Sequence, residues 1–122
     1  MDASSLIKTV TESLNQKDWN RHDLYYYKLD FLIPSINKKQ IADIVLFRGG
    51  KPIGVIEVKS NVNDLNNAVT QVKGYASGLG VKFIFITNGN EIFQVFNNTD
   101  VVNIISEFPS VDEFHELLNN SL

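Results

Sequence analysis

Two apolar, β-branched runs on either side of a glycine-rich turn constrain the fold of this chain more than any other feature. They cover residues 41–47 and 52–59. Such composition is typical of strands, so the segment predicts a β-hairpin that is largely buried. Three charged side chains, Asp43, Glu57 and Lys59, lie within these runs. Burying a charge is costly unless the group is paired or binds a metal, so these residues require a chemical explanation.

Side-chain alternation brings the three charged residues together if the hairpin loop has an odd length. Glu57 and Lys59 are two positions apart and therefore point to the same face of their strand. A two-residue turn would shift the pairing by one position and move Asp43 to the other face. We therefore expect a three-residue loop with glycine in the left-handed position. The predicted loop is Gly49, Gly50 and Lys51, and the predicted pairs are Arg48 with Pro52, Phe47 with Ile53, Val45 with Val55 and Asp43 with Glu57.

In that register the carboxylates of Asp43 and Glu57 face each other, with the ammonium group of Lys59 one step along the strand. Directly opposed residues have Cβ atoms roughly 4.5–5.5 Å apart. Like charges at this separation repel each other and destabilise the protein. A divalent cation would relieve the repulsion, and Mg²⁺ prefers carboxylates, carbonyl oxygens and water as ligands.

The composition indicates one ordinary globular domain covering residues 1–122, with 43% apolar and 20% charged residues. No apolar run approaches the roughly 18–20 residues of a membrane span, and no signal pattern opens the chain. We therefore expect a cytoplasmic protein without membrane contact. The absence of cysteine excludes disulfides and thiolate metal sites.

The net charge of −3 is unusual for a freestanding nucleic-acid binder, which normally carries a basic surface. Affinity for DNA would therefore come from a local patch, a partner or a neighbouring domain. Arg48 and Lys73 belong to the basic residues of the middle third of the chain. Both are candidates for contact with nucleic acid.

The remaining periodicities predict an α/β sandwich built on a mixed β-sheet. Helices are predicted over residues 3–17, 61–79 and 111–118. Strands are predicted over 24–33, 81–87, 92–96 and 101–106, with an Asn-Gly hairpin turn at 88–89. Gln71 and Tyr75 are four positions apart and therefore neighbours on one shoulder of the second helix.

An ordered set of motifs resembles the PD-(D/E)xK nuclease superfamily, in particular the N-terminal nuclease domain of type I restriction enzyme R (HsdR) subunits. The motifs are Ala42-Asp43, Glu57-Val58-Lys59, the pair Gln71 and Tyr75, and Ile86-Thr87-Asn88-Gly89. The resemblance spans residues 24–96. It implies a restriction-endonuclease-like core, in which helices flank a mixed central sheet. Alanine rather than proline precedes Asp43, which is a departure from the family pattern.

The resemblance also implies roles for individual residues. Asp43 and Glu57 would bind the metal together with the backbone carbonyl of Val58, and Lys59 would position or polarise the attacking water. Gln71 and Tyr75 would line the site, and with Lys73 and Arg48 they are the expected nucleic-acid contacts. Many relatives add an acidic residue from the first helix, for which Glu12 is the candidate.

The function implied by the resemblance is Mg²⁺-dependent hydrolysis of DNA phosphodiester bonds, with Mn²⁺ as a substitute. The expected partners are DNA and a translocase or helicase domain or subunit. Cutting both strands requires two active sites, which implies a homodimer or a second pass.

Two alternatives stay open from the sequence. One is a catalytically silent module of nuclease fold that binds nucleic acid or a partner protein, and the other is an RNA-directed nuclease. The individual residues also have ordinary structural interpretations. Glu57 and Lys59 could form a solvated strip, Gln71 and Tyr75 a plain helix flank, and Glu12 a surface acid. The intact Asp-Glu-Lys set argues against a silent module.

Overall fold

The computed structural model describes residues 3–21, 23–34, 39–60, 65–96, 99 and 101–120. Three helices and six strands lie within these residues, which confirms the predicted α/β class. The helices are α1 (Ala3–Gln16), α2 (Leu65–Leu79) and α3 (Val111–Asn120). The strands are β1 (Tyr25–Ile33), β2 (Gln40–Arg48), β3 (Lys51–Val58), β4 (Phe83–Thr87), β5 (Ile92–Phe96) and β6 (Val102–Ile105). The start predicted for the second helix lies outside the described residues.

The six strands form a single mixed sheet in the order β1-β2-β3-β4-β5-β6. Only β3 and β4 are parallel among these neighbours, and α2 connects them because parallel strands need a crossover. Side chains of β4 alternate between the two faces: Ile84 and Ile86 pack with α2, whereas Phe83 and Phe85 pack with α1 and α3. The sheet is therefore apolar on both faces, and a charged group in its central strands has little access to water.

The hairpin turn differs from the prediction. Gly49 and Gly50 form a two-residue turn with φ of 57° and 82°, and Arg48 pairs with Lys51. Left-handed conformations at both positions match the twist of the flanking strands, which favours this turn over the longer loop. The predicted pairs Arg48 with Pro52 and Phe47 with Ile53 are therefore wrong.

A β-bulge restores the predicted register farther along the hairpin. The pairing shifts between Leu46 and Phe47, so that Leu46 pairs with Gly54 and Val45 pairs with Val55. One extra residue on β3 compensates for the even-length turn, because a shift of one position returns each side chain to its expected face. The pair Val45 with Val55 is confirmed by this route.

The side of the β1–β2 ribbon that faces each helix layer changes at Asp30, a non-glycine residue with φ of 49°. Before this point Ile44 packs in the core of α1 and α3, and beyond it Ala42 packs in the core of α2. The outer part of the ribbon reaches α2, where a Cβ at Gly78 would lie 3.0 Å from Ile33 Cγ2. This change of direction occurs beside Asp43, and so it shapes the candidate site.

The two outer helices are attached by specific contacts. Trp19 is buried against Tyr25 and Phe114 and donates its indole N–H to Pro109 O at 3.0 Å. Ser110 and Glu113 form a reciprocal cap at the start of α3, with distances of 2.9 and 3.2 Å. Those hydrogen bonds lower the pKa of Glu113. No helix within the described ranges is long and apolar enough to cross a membrane.

Two glycine substitutions test the turn. A methyl group on Gly50 or Gly74 meets no described atom within 4 Å, but Gly50 has φ of 82° whereas Gly74 lies within α2. Gly50→Ala should lower the free energy of unfolding by about 1 kcal/mol through backbone strain. Gly74→Ala should raise it by about 0.5–1 kcal/mol through helix propensity. Urea denaturation measures both, and effects of the same sign would contradict the turn geometry.

Candidate active site

The first element of the site is Asp43, at the point where β2 and β3 stop pairing through their backbones. The paired residues of the two strands end at Ile44 and Ile56. Asp43 Oδ2 instead accepts a hydrogen bond from the backbone N–H of Val58 at 2.8 Å. The predicted backbone pair of Asp43 with Glu57 is therefore replaced by a contact from side chain to backbone. The carboxylate spans the gap between the strands and still lies beside Glu57.

Glu57 is the most unusual residue of the site, because its exposed fraction is only 6%. Its Oε2 atom has no hydrogen-bond partner in the described part of the chain. Burial raises the pKa of Glu57, and the negative charge and hydrogen bond of Asp43 raise it further, to about 8. The ammonium group of Lys59 opposes this rise. The arrangement therefore disfavours a bare negative charge and favours either a proton or a cation at Glu57.

Lys59 completes the charged cluster. Its Nζ lies 3.8 Å from Glu57 Oε1 and donates a hydrogen bond to Gln71 Oε1 at 3.1 Å. Gln71 Nε2 in turn donates to the hydroxyl of Tyr75 at 2.7 Å. Because an ammonium group can only donate, the amide oxygen of Gln71 must face Lys59 and its NH₂ must face Tyr75. The structure thus brings Asp43, Glu57, Lys59, Gln71 and Tyr75 into one connected cluster.

The Thr-Asn-Gly motif supports this cluster from β4. Thr87 O accepts the backbone N–H of Lys59 at 2.9 Å, which extends the parallel pairing past Val58. The Thr87 hydroxyl donates to Glu91 O at 2.7 Å and accepts the N–H of Gly89 at 3.0 Å. The predicted two-residue Asn-Gly turn is in fact a loop over 88–91, because Thr87 pairs with Ile92. Sequence reasoning assigned Thr87 no role, although it holds the backbone that carries Lys59.

Three other predicted site residues lie elsewhere. Glu12 is exposed on α1, whose buried side chains pack on the face opposite α2. Arg48 lies at the turn end of the hairpin, about 17 Å along the strand from Asp43 at 3.3 Å per residue. Lys73 donates its Nζ to Thr99 O at 2.7 Å, beyond β5. Among the described residues no group of three or more His, Cys, Asp or Glu could hold a metal, so Glu12 does not join the two carboxylates.

Comparison with known proteins identifies the family. The model of the type I restriction enzyme R protein N terminus matches residues 7–106. The chain belongs to this family. The match covers all six strands and the whole charged cluster, from within α1 to the end of β6. It confirms the family and the fold that the motifs indicated.

Individual relatives agree with the family assignment. An endonuclease subunit of the type I restriction enzyme EcoAI from Escherichia coli is 44% identical over 50 residues, which are 40% of this chain and 6% of that protein. A fragment of a protein assigned as an HsdR subunit from Vibrio vulnificus superposes with a TM-score of 0.79 and 25% identity. That superposition covers 98% of this chain and 26% of the Vibrio chain. The chain is therefore similar to a small part of both relatives.

A more distant structure shows the same fold. A protein from Anabaena variabilis, assigned as a nuclease of the DUF820 family, superposes with a TM-score of 0.65 at 11% identity. The superposition covers 93% of this chain and 74% of the Anabaena chain. The R-protein N-terminal fold of this chain is thus shared with a protein of comparable size.

The donor set of this R-protein N-terminal domain suits a hard divalent cation. Asp43 and Glu57 supply carboxylate oxygens, and one of these, Glu57 Oε2, is buried without a described hydrogen-bond partner. An extended residue directs its N–H and its C=O to the same side of the strand. Since the N–H of Val58 points to Asp43, its carbonyl lies on that side as well. Two acids and one carbonyl are ligands that Mg²⁺ accepts while keeping several waters.

The raised pKa of Glu57 predicts how stability depends on pH without divalent ions. Below pH 4.5 Glu57 is protonated in both the folded and the unfolded protein. Between pH 4.5 and about 8 it loses its proton only in the unfolded protein. The free energy of unfolding should therefore fall as the pH rises through this window, by on the order of 1 kcal/mol per pH unit. Glu57→Gln should remove this decline and exceed the unchanged protein in stability above pH 8.

Urea denaturation in EDTA at a series of pH values measures this effect. Glu12→Gln is the matched control, because it removes an exposed acid on α1. The control should keep the decline with pH. A decline of equal size in Glu57→Gln would show that another group causes it.

Proposed function

We propose that this domain is a metal-dependent endonuclease that hydrolyses phosphodiester bonds in DNA. The observation that carries the proposal is the buried carboxylate of Glu57 beside Asp43, with the Lys59 ammonium group 3.8 Å away. A purely structural ion pair between Glu57 and Lys59 would not need a second acid. Asp43 is such an acid, and its charge raises the pKa of Glu57. Perturbed ionisable groups of this kind are typical of catalytic sites.

Asp43, Glu57 and the carbonyl of Val58 would hold Mg²⁺, for which Mn²⁺ would substitute. When bound, such a cation orients the phosphate, lowers the pKa of the attacking water and stabilises negative charge. Asp43 is fixed for this task by its bond to the N–H of Val58. Glu57 is fixed by its place in the apolar sheet. Little reorganisation of either carboxylate is needed when the cation arrives.

Lys59 would act on the reacting atoms. In hydrolysis the attacking water loses a proton as its oxygen bonds to phosphorus. The bond from phosphorus to the leaving sugar oxygen breaks, and that oxygen takes up a proton. Negative charge develops on the phosphate oxygens during the exchange. The ammonium group of Lys59, which donates a hydrogen bond to Gln71, would supply positive charge to stabilise these oxygens. Gln71 and Tyr75 form the wall of the site on α2 and are the proposed contacts to the substrate strand.

The family suggests the setting in which the domain works. The Escherichia coli relative is an endonuclease subunit of a type I restriction enzyme, and this chain spans 6% of its length. We infer that DNA is the substrate and that a translocase or helicase domain or subunit is the partner. The net charge of −3 supports this, because a partner would add affinity for DNA to a domain that carries a net negative charge. Cleavage of both strands would need a second copy of the site, and therefore a homodimer or two successive nicks.

Substitution of Lys59 tests catalysis. Lys59→Ala should reduce the rate of cleavage of supercoiled plasmid in Mg²⁺ by about a hundredfold or more, because it removes charge stabilisation in the transition state. Lys8→Ala, which removes an exposed cation on α1, should cleave normally. Linear duplex, single-stranded DNA and RNA substrates serve as further arms. Binding of DNA without any cleavage would favour the silent module, and cleavage of RNA alone would favour the RNA-directed nuclease.

Thermal unfolding tests the metal site independently of activity. Mg²⁺ should raise the midpoint of the unchanged protein in proportion to the logarithm of its concentration above the dissociation constant. Asp43→Asn should lose this increase, while its amide oxygen can still accept the N–H of Val58 and preserve the fold. Glu12→Gln is again the control and should keep the increase. An equal response of Asp43→Asn and the unchanged protein to Mg²⁺ would remove Asp43 from the metal site.

A further inference from the structure

A second cavity, of about 360 Å³, lies at the turn end of the hairpin, away from the carboxylates. Its walls come from the turn between β2 and β3, the connection between α2 and β4, and the C-terminal half of α3. Lys51 and Glu57 are six positions apart on β3, which corresponds to about 20 Å along the strand. This cavity is therefore separate from the candidate active site.

Three cations from different segments line this cavity: Arg48, Lys51 and Lys82. Arg48 and Lys51 pair directly across the turn, and like charges in that arrangement destabilise a hairpin. Among the described residues of the cavity wall there is no Asp or Glu. The salt bridges of the described residues also include none of the three cations. In a chain of net charge −3, the cavity is a local concentration of positive charge that suits an anion.

The hydroxyl of Tyr25 organises two of the polar groups. Arg48 Nε donates to this hydroxyl at 3.0 Å, and the guanidinium group lies 5.7 Å from the Tyr25 ring. The same hydroxyl contacts His115 Nδ1. The Tyr25 hydroxyl therefore holds the side chains of Arg48 and His115 next to each other. Both residues line the cavity, and the outer N–H groups of the Arg48 guanidinium are hydrogen-bond donors there.

Most of the remaining wall is apolar and consists of Pro52, Ile53, Val81, Phe83 and Leu118, with Gly80 and Asn119 beside them. A cavity of this volume falls in the range of about 300–1,000 Å³ that is typical of small-molecule sites. It combines an apolar surface large enough for a flat ring with clustered cations and donors. These are the features that bind the base and the phosphate of a nucleotide.

We propose that this cavity binds a nucleotide, with its phosphate between Arg48, Lys51 and Lys82 and its base against Pro52, Ile53 and Leu118. Convergence of three cations on one cavity matches the several charges that a phosphate group carries on one centre. Carboxylates of an acidic peptide would be spread along its length instead. The ligand is either a free nucleotide or the phosphorylated terminal nucleotide of a nucleic-acid strand. Binding here does not depend on catalysis at Glu57.

Calorimetric titration of the full chain at low salt tests the proposal. The probes are inorganic phosphate, the four deoxynucleoside mono- and triphosphates, and a short single strand with or without a 5′-phosphate. Nucleotides should bind more tightly than inorganic phosphate. The double variant Lys51→Ala and Lys82→Ala should weaken nucleotide binding at least tenfold. The control Lys8→Ala and Lys39→Ala has the same net charge and exposed positions outside the cavity, so it should retain the affinity.

The arms of the titration separate the outcomes. Tighter binding of the 5′-phosphorylated strand than of free nucleotides would identify a strand end as the ligand. Equal losses in the cavity variant and the control would show a general charge effect and overturn the site. Binding of inorganic phosphate as tight as that of nucleotides would overturn the role of the apolar wall. Glu57→Gln should bind nucleotides normally, so a loss of cleavage and a loss of nucleotide binding are distinguishable.

Discussion

The bond between Asp43 Oδ2 and the backbone N–H of Val58 supports the whole charged cluster. At this point β2 leaves the backbone pairing with β3, and a side chain takes the place of a main-chain acceptor. A buried N–H without an acceptor would be costly, so the carboxylate satisfies the strand while it stays beside Glu57. Fold and chemistry therefore depend on the same atom. A residue that only filled space could not serve both needs.

Glu57 shows what the fold costs the protein without a cation. The sheet is apolar on both faces, and Glu57 lies in β3, where nearly all water is excluded. Its pKa of about 8 means that ionisation at neutral pH opposes folding. A residue whose only role was to stabilise the fold would not be a buried carboxylate with a raised pKa. A site that holds a cation would keep such a carboxylate, because the cation converts the unfavourable charge into binding energy.

The hairpin carries two separate groups of charged residues. At one end Asp43 and Glu57 meet, and at the other Arg48 and Lys51 pair across the Gly-Gly turn. About 20 Å of strand lies between them. The bulge next to Leu46 lies between them. It shifts the strand pairing by one residue, which compensates for the even-length turn. One supersecondary unit therefore carries both the carboxylate pair that is proposed to hold a metal and the basic cavity that is proposed to hold a phosphate.

The amino-acid sequence by itself determined the helices and the strands, because periodicity is a local property, and the resemblance of its motifs to a nuclease family indicated which residues join the charged cluster. Asp43, Glu57, Lys59, Gln71 and Tyr75 could all be named from it. Only the tertiary structure decided the two-residue turn, the compensating bulge and the absence of Glu12 from the carboxylate pair. A two-residue turn with a bulge and a three-residue loop without a bulge put Val45 and Val55 in the same register. The pattern of buried side chains in the sequence therefore cannot distinguish these two hairpins. The position of α1 on the opposite face follows from the packing of buried side chains, which no spacing along the chain reveals.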